Sequence, residues 1–563
     1  MFKLKTLALL AALILSPVGL TSTKTFAVAS STDSAKVAKK GTLRLRLPAW
    51  PKSLNVLTSS DAYLGMLSSF VHSSLVERNQ ENWEIIPAVA EKWEESSDRK
   101  TYTFYLNPKA KFDSGSPVTA EDVKFTFDKL YDKKQCVTCE GTRAYVGKIN
   151  SIKVEGKNKI TFVMAEAHFQ NLERIGGVTI FEKKKFEKGN FNKKYDRTLE
   201  GAGPYKYNKS KSKFRKSIVL ELNKDHWIFD YPYFKNRFNF QKIIFKYIQD
   251  DTVAFEAFKK KDLDIFYFGD GTYKFWDNQN AAPFTDKNLT RLKAPKVIPW
   301  VWSGVALNMR KGPTSDVRFR KALQLVLNRE VFIKKIFNDH QAMVAGPFAA
   351  GSDYSSNTKA IGYDPKQASK LIKEAGFTKI DSDGVLYREV KGQKERAEIT
   401  IMYASKAHDQ WMTMFKADAK KIGINVTPRY IDWSAGIKLV DELNFEGFVI
   451  GWSGDPTPAP RQLWHGSTAN NKGTSNIPGL NDPSIDALID SAPVAFDESK
   501  RIRLFKDLEK KIIDHQPYLF RWTQKNHYVA FWKDKVNSTS TPFYKYSGNN
   551  LRSIFYQHWH SAK

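Results

Sequence analysis

Strand-like and helix-like segments alternate along most of this chain. Residues Thr42–Leu47 alternate apolar and polar side chains with a period of two, which is typical of a half-buried strand. Residues Lys242–Ile248 form a further strand pattern, and a helical pattern over Asp251–Lys261 leads from it to the strand-like Leu263–Ile265. The same succession recurs within residues 399–430. This order of elements predicts an α/β fold with mixed sheets.

The length of the chain indicates how many hydrophobic cores it forms. A typical domain contains about 100–150 residues, so 563 residues predict two or more cores or one elaborated α/β body. Hydrophobic residues make up 41% of the sequence, which is enough apolar surface for a folded rather than a disordered protein. Near the C-terminus, Tyr518–Trp522 and Tyr528–Trp532 alternate like strands that complete an existing sheet.

The first 29 residues have the three parts of a secretory signal peptide. Lys3 and Lys5 precede the apolar stretch Leu7–Leu15, and the small residues Ala27–Ala29 end the segment. We therefore exclude residues 1–29 from the fold and expect the protein to be exported to an oxidising compartment that lacks ATP. An N-terminal membrane anchor is the alternative, but the apolar run is shorter than the ~20 residues that span a bilayer. No cysteine follows this run, so we expect no lipid attachment there.

The charge of the chain is strongly positive. It contains 89 Lys and Arg against 60 Asp and Glu, which gives a formal net charge of +29. Such an excess bears on solubility, acidic partners and association rates rather than on the fold. Because export removes most cytosolic nucleic-acid roles, we expect no nucleic-acid partner. A basic envelope protein that binds polyanions stays open as an alternative.

Motifs of the common hydrolases and nucleotide enzymes are missing from the sequence. The stretch Gly451-Trp452-Ser453-Gly454 is followed by Asp455, so it does not complete the G-x-S-x-G pattern of a nucleophile elbow. There is no H-E-x-x-H zinc motif and no glycine-rich phosphate loop, and the ten histidines are scattered. We therefore expect a protein that is not an enzyme and that needs no cofactor or metal.

The two cysteines have the spacing of a redox motif. Cys136 and Cys139 are separated by two residues in a polar segment, without the strand and helix that surround a thioredoxin-type site. In an oxidising compartment a short local disulfide is the favoured interpretation. Redox catalysis and free thiols are the alternatives.

A series of motifs follows in a fixed order from residue 75 to residue 488. These motifs are Leu75–Glu77, Pro87–Trp93, Tyr102–Leu106, Lys111–Val123, Gly201–Tyr205, Asp251–Phe258, Asn308–Arg310, Asp316–Leu323, Gly451–Asp455 and Asn481–Leu488. In this order and spacing they resemble the extracellular solute-binding proteins of family 5, the receptors of peptide-type ABC importers. The resemblance covers almost all of the chain beyond residue 29.

The resemblance implies a two-lobed periplasmic-binding-protein fold of type II, in the large class that has an extra subdomain. We expect the first lobe at residues 30–300, with an inserted subdomain at about 76–195. The second lobe is expected at 301–515, and residues 516–563 are expected to return to the first lobe across a two-segment hinge.

The same resemblance implies a periplasmic receptor that closes its lobes over an oligopeptide or a peptide-like solute. The receptor is expected to be a monomer and to deliver its ligand to the permease subunits of an ABC importer at the membrane. A metal chelate, haem or a glycan on the same fold is the alternative ligand.

The resemblance also implies where the ligand binds. Asp455 matches an aspartate that pairs with the α-amino group of the ligand in peptide-binding relatives, and Trp452, Ser453 and Gly454 precede it in the ligand-facing segment. Trp433 is expected to line a side-chain pocket. From the residues alone, Asp455 is equally a turn residue before a proline, and both tryptophans are equally core residues. The segment after Asp455 departs from the family pattern, which leaves the class of ligand open.

Overall fold

Mixed sheets and helices alternate along the chain, as the sequence predicts. The computed structural model describes residues 39–59, 61–79, 84–189, 191, 195–234, 237–269, 271–295, 301–453, 458–538 and 559–561. The strands are β1 (Thr42–Leu47), β2 (Val76–Arg78), β3 (Ile85–Pro87), β4 (Ala90–Glu95), β5 (Thr101–Leu106), β6 (Ile149–Val154), β7 (Lys159–Met164), β8 (Tyr205–Tyr207), β9 (Ser217–Leu222), β10 (Lys242–Tyr247), β11 (Ile265–Tyr267), β12 (Leu289–Pro295), β13 (Val301–Leu307), β14 (Gln341–Met343), β15 (Lys379–Ile380), β16 (Leu386–Val390), β17 (Gln393–Arg396), β18 (Glu398–Tyr403), β19 (Asn425–Tyr430), β20 (Gly447–Ser453), β21 (Tyr518–Phe520), β22 (Trp522–Gln524), β23 (Asn526–Trp532), β24 (Val536–Ser538) and β25 (Trp559–Ser561).

The helices connect these strands and cover the faces of the sheets. They are α1 (Ala62–Val71), α2 (Ala120–Tyr131), α3 (Glu140–Val146), α4 (Asn171–Gly176), α5 (Lys183–Phe186), α6 (Asp251–Lys259), α7 (Tyr273–Asp277), α8 (Val317–Val326), α9 (Arg329–Lys335), α10 (Pro365–Glu374), α11 (Asp409–Lys420), α12 (Trp433–Asp441), α13 (Arg461–Trp464), α14 (Pro483–Ser491) and α15 (Glu498–His515). Among the described helices, none combines the length and the apolar character needed to cross a membrane.

The segment predicted as the first lobe, residues 30–300, contains a four-stranded sheet of order β1-β10-β9-β8. Its bounds and those of the second lobe stay a prediction, and the two names refer to the predicted segments. Strand β1 lies parallel to β10 at the edge of this sheet. Leu43, Leu45 and Leu47 of β1 are buried, whereas Arg44 and Arg46 between them are partly exposed. The period of two read from the sequence therefore reflects a strand with one face in the core. A second sheet, of order β4-β5-β7-β6, lies within the segment expected as the inserted subdomain.

The second lobe contains a five-stranded sheet of order β19-β18-β20-β13-β21. Strands β18, β19 and β20 run parallel to one another, and β13 pairs antiparallel with β20 and β21. The chain near the C-terminus joins two sheets, because β21 lies at the edge of this sheet whereas β23 lies between β11 and β12. Within the segment expected to return to the first lobe, β21 therefore still belongs to the sheet of the second lobe, and β23 is the strand that pairs with β11 and β12 of the first.

The glycines of the Gly201–Tyr205 motif lie against the C-terminal end of α1. The backbone N–H of Gly203 donates a hydrogen bond to the carbonyl of Val71 at 2.8 Å. A Cβ atom on Gly203 would lie only 2.5 Å from the carbonyl carbon of Val71, and one on Gly201 would lie 2.6 Å from its oxygen. Both glycines are therefore required by a close approach of two backbone segments.

We expect Gly203→Ala to lower the free energy of unfolding by about 1–3 kcal/mol, because the added methyl group overpacks a backbone contact that has little freedom to move. Urea unfolding of the variant and the wild type measures this difference. Gly362→Ala is the matched control, since its Cβ would lie 3.7 Å from the nearest side-chain atom. Equal midpoints for Gly203→Ala and the wild type would contradict the close-contact explanation.

Two buried histidines flank the same motif. The Nε2 atom of His226 lies 3.0 Å from the carbonyl oxygen of Ala202, and the backbone of His72 contacts Gly203. Burial lowers the pKa of His72 to about 4 and that of His226 to about 4. Both rings are therefore neutral at pH 7 and stay neutral in the folded protein well below the ordinary pKa of histidine.

This burial makes the stability of the protein depend on pH. In the unfolded chain a histidine takes up a proton below about pH 6.5, so the unfolded state gains stability as the pH falls from 6.5 to 4. Each of the two histidines is expected to cost on the order of 2 kcal/mol of unfolding free energy between pH 7 and pH 5. Urea unfolding at both pH values checks this expectation. His226→Gln should show a smaller loss, and an unchanged loss would contradict the assignment.

Candidate ligand-binding cleft

Helix α12 of the second lobe is bonded to the first lobe at both of its ends. At its N-terminal end, Nε1 of Trp433 donates a hydrogen bond to Oδ2 of Asp61 at 3.1 Å. At its C-terminal end, Oδ2 of Asp441 lies 3.6 Å from Nζ of Lys52. Burial raises the pKa of the Asp441 carboxyl, and the charge of Lys52 opposes this shift. The helix is therefore a direct bridge between the lobes.

Asp61 serves two elements at once. It is the N-cap of α1, where its Oδ1 accepts hydrogen bonds from the backbone N–H groups of Tyr63 at 2.8 Å and Leu64 at 3.3 Å. An aspartate at this position satisfies N–H groups that the helix itself leaves unpaired. Its second oxygen is left to accept the indole N–H of Trp433. No motif of the sequence indicates Asp61 as a site residue, although an aspartate directly before a helical stretch is typical of an N-cap.

Trp452 lies near the end of β20 and is anchored within the second lobe. Its Nε1 donates to Oη of Tyr518 at 3.0 Å, and it is opposite Trp302 in the pairing of β13 and β20. The ring of Trp302 in turn lies edge-on to Tyr518, with the centroids 4.9 Å apart. The indole N–H of Trp452 is thus used inside the lobe, and its partly exposed ring is the part available to a ligand.

The structure brings the two predicted tryptophans to one hydrophobic cluster. Trp433 and Trp452 are both partly buried against the cluster that contains Phe448 and Ile450 of β20. The ring centroids of Trp433 and Phe448 are 6.0 Å apart. Of the two, Trp433 is hydrogen-bonded to the opposite lobe, whereas Trp452 is hydrogen-bonded within its own.

The remaining predicted residues follow directly after Trp452. Ser453 is the last residue of β20, where it pairs with Val301. Gly454 and Asp455 lie outside the described residues. Elsewhere in the chain, a disulfide joins Cys136 and Cys139, both buried, in the first lobe near the carbonyl of Leu57.

Strand β20 has one edge that carries a partner over only part of its length. On one side β13 pairs with β20 from Gly447 to Ser453. On the other side β18 pairs only with Gly447 and Phe448. No other described strand continues this pairing over Val449–Ser453. Val449–Ser453 are therefore without a described strand partner on this side.

A cavity of about 410 Å³, the interlobe cavity, opens beside α12. It is lined by Trp50, Pro51, Lys52, Leu54, Asp196, Arg197, Tyr207, Lys209, Ser212, Phe214, Arg215 and Ser434. All of these residues except Ser434 belong to the first lobe, and Ser434 is the neighbour of Trp433 on α12. A volume of this order is typical of ligand sites in proteins. No motif of the sequence indicated these lining residues as a binding site. The only pattern among them that could have done so is the basic run from Lys209 to Arg215, which contains Phe214.

A second set of contacts joins the lobes elsewhere. The backbone N–H of Phe169 donates to the carbonyl of Pro493 at 3.2 Å, and the guanidinium of Arg501 lies 4.6 Å from the centre of the Phe169 ring. The guanidinium of Arg99 lies 4.6 Å from the ring of Phe496. The two lobes are therefore in contact at more than one place.

Comparisons with known proteins identify the family of the chain. The family described as bacterial extracellular solute-binding proteins, family 5 Middle, matches residues 84–474. The probable peptide-binding protein YejA of Agrobacterium fabrum is 23% identical over 572 residues, which cover 91% of this chain and 89% of that protein. The nickel-binding periplasmic protein of Escherichia coli is 25% identical and covers 80% of this chain and 83% of its own.

Solved structures show the same architecture. The oligopeptide-binding protein AppA from Bacillus subtilis, in complex with a nonapeptide, superposes with a TM-score of 0.79 at 21% identity, over 94% of this chain and 100% of that one. This likeness confirms the predicted two-lobed α/β fold with mixed sheets. Since the family match extends over more than half of the chain, the protein belongs to the bacterial extracellular solute-binding proteins of family 5.

Proposed function

We propose that this protein is the peptide-binding receptor of an ABC importer and that it encloses an oligopeptide between its lobes. The observation that carries the proposal is the interlobe cavity beside a helix that is bonded to the first lobe at both ends. A ligand placed there contacts both lobes only when they are closed, so its binding energy favours closure. The names of the relatives YejA and AppA, both described as peptide-binding, support the choice of ligand.

In this proposal the peptide lies along the incompletely paired edge of β20. An extended peptide added to a strand is held by main-chain hydrogen bonds, which fix its direction without selecting its side chains. Ser453 and Gly454 contribute through their backbone, and Trp452 contributes through its exposed ring. Asp455, which follows them, accepts the α-amino group of the peptide as a charge-assisted hydrogen bond.

The proposal extends to the setting in which the protein works. Residues 1–29 direct export and are then removed, and the mature monomer works in the periplasm without a lipid anchor. It delivers the peptide to permease subunits at the membrane and catalyses no reaction. The membership of a solute-binding family supports a role in binding.

Native mass spectrometry of gently purified mature protein tests the identity of the ligand. We expect a set of bound masses that fragment as peptides. If the protein is purified without a bound ligand, it is titrated by calorimetry with an equimolar library of tri- to nonapeptides. We expect binding in this titration. A bound nickel chelate, haem or glycan, together with no binding from the library, would overturn the peptide assignment.

We expect Trp433→Phe to weaken peptide binding by about 0.5–1.5 kcal/mol, because it removes one hydrogen bond between the lobes while keeping an aromatic ring. Calorimetry measures the affinity, and small-angle scattering measures closure. Trp227→Phe is the matched control, since the same substitution removes an indole hydrogen bond to the carbonyl of Lys111 within the first lobe. Equal affinities for Trp433→Phe and the wild type would show that the contact with Asp61 does not favour the closed state.

A further inference from the structure

The walls of the interlobe cavity carry an excess of positive charge. Lys52, Arg197, Lys209 and Arg215 line it, together with the single carboxylate of Asp196. The Oδ1 atom of Asp196 already accepts a hydrogen bond from Oγ of Ser53, at 2.8 Å. The cavity is therefore a cationic environment in which the one carboxylate is already engaged.

Three of these cations lack an acidic partner within the described part of the chain. Lys52 faces Asp441, but no ion pair joins Arg197, Lys209 or Arg215 to a described carboxylate. The hairpin between β8 and β9 does neutralise a neighbouring cation, because Nζ of Lys211 lies 2.8 Å from Oε1 of Glu221. Arg197, Lys209 and Arg215, which line the cavity, thus keep their charges without a described carboxylate partner.

The ring of Phe214 lies beside the guanidinium groups of both arginines. The Phe214 side chain is 61% exposed, and the guanidinium groups of Arg197 and Arg215 lie 4.8 Å and 5.9 Å from the centre of its ring. Trp50 packs edge-on against Phe214, with the centroids 5.4 Å apart. Guanidinium groups held against a ring keep their planar N–H donors free for an acceptor, and a carboxylate fits two such donors at once.

The cavity is lined by residues of both lobes, where the proposed ligand would bind. Ser434 on its wall is adjacent to Trp433, which is hydrogen-bonded to Asp61 of the first lobe. A group that enters the cavity therefore contacts both lobes in the closed form. A purely solvated basic surface would not include a residue of the opposite lobe.

We propose that the interlobe cavity binds an acidic side chain of the captured peptide and that Arg197 and Arg215 determine a preference for acidic peptides. The inference rests on the proposed function, since it concerns one side-chain position of the same ligand. Arg197 and Arg215 bind the carboxylate, Lys209 adds to the local positive potential, and Trp50 and Phe214 contact the aliphatic part of the side chain.

Calorimetry with matched pentapeptides tests this preference. Each peptide is pentaalanine with one glutamate, and its partner has glutamine at the same position. We expect at least one glutamate peptide to bind the wild type about 10-fold more tightly than its partner, since a charge-assisted hydrogen bond is stronger than one between neutral groups. The variant R197Q/R215Q should bring that ratio close to one, because it weakens binding of the glutamate peptide more than binding of its glutamine partner.

A variant with the same change in net charge serves as the control. K366Q/K416Q alters exposed lysines on α10 and α11 of the second lobe, and it should keep the preference of the wild type. If neutral peptides bind but the wild type shows no preference, or if R197Q/R215Q keeps the preference, the inference is wrong while the proposed function stands. If no peptide binds to the folded wild type, the proposed function fails and the inference fails with it.

Discussion

Replacing Asp455 with asparagine is expected to weaken peptide binding by about 2–5 kcal/mol, which is roughly 30-fold or more. The reason is that the α-amino group of the peptide would lie in a closed site from which most water is excluded. An ammonium group there loses its hydration and has no counter-charge once the carboxylate is gone. A surface ion pair in water would lose at most about 1 kcal/mol from the same change.

A double-mutant cycle separates this role from a structural one. Peptides with a free and an acetylated N-terminus are titrated into the wild type and into Asp455→Asn. The wild type should discriminate strongly between them, whereas the variant should not, because acetylation removes the charge that Asp455 is proposed to recognise. A folded variant with unchanged affinity, or one that keeps the full discrimination, would show that Asp455 only shapes the turn before Pro456.

Arg320→Leu is expected to lower the free energy of unfolding by about 3–5 kcal/mol. Arg320 lies on α8, and its side chain is only 1% exposed. Its guanidinium donates to the carbonyls of Thr314 at 2.8 Å, Ser315 at 3.0 Å, His515 at 3.0 Å and Gln516 at 3.2 Å. Leucine has a similar apolar stem but leaves these buried acceptors without their donor.

The position of Arg320 explains why so large an effect is expected. It fixes the end of α15 to the start of α8, directly before the chain enters β21 and the strands that follow. Urea unfolding measures the loss, and Arg503→Leu on the exposed face of α15 is the control, with an expected change below about 0.5 kcal/mol. A loss for Arg320→Leu no larger than that of the control would mean that the carbonyls find other donors.

Local pattern was sufficient to predict much of the fold. The alternation in Thr42–Leu47 predicted a strand with one buried face, because strand periodicity is a property of neighbouring residues. The reason for Gly203 was not predictable in this way, since its contact with Val71 joins segments far apart in the sequence. A motif can thus be noticed in a sequence while its physical cause is visible only in three dimensions.

The candidate site was predicted less completely, for the same reason. Trp433 and Trp452 were selected through the resemblance to family 5, and both lie against one cluster. Asp61 and Lys52 were not predicted, because each contacts a residue of α12 that is far away in the sequence. Asp61 and Trp433 are 372 positions apart. The periodicity or spacing of residues within a short stretch of sequence cannot predict such a contact.

The contacts of α12 with the first lobe also have a consequence for the release of the bound ligand. They consist of one indole hydrogen bond and one ion pair at 3.6 Å, which together contribute only about 1–2 kcal/mol. Interactions of this size are too weak to prevent the domain motions that open such lobes on the microsecond to millisecond timescale. We therefore expect the residence time of a solute to be set by the contacts of the solute itself, so that a weakly held peptide escapes without any external source of energy.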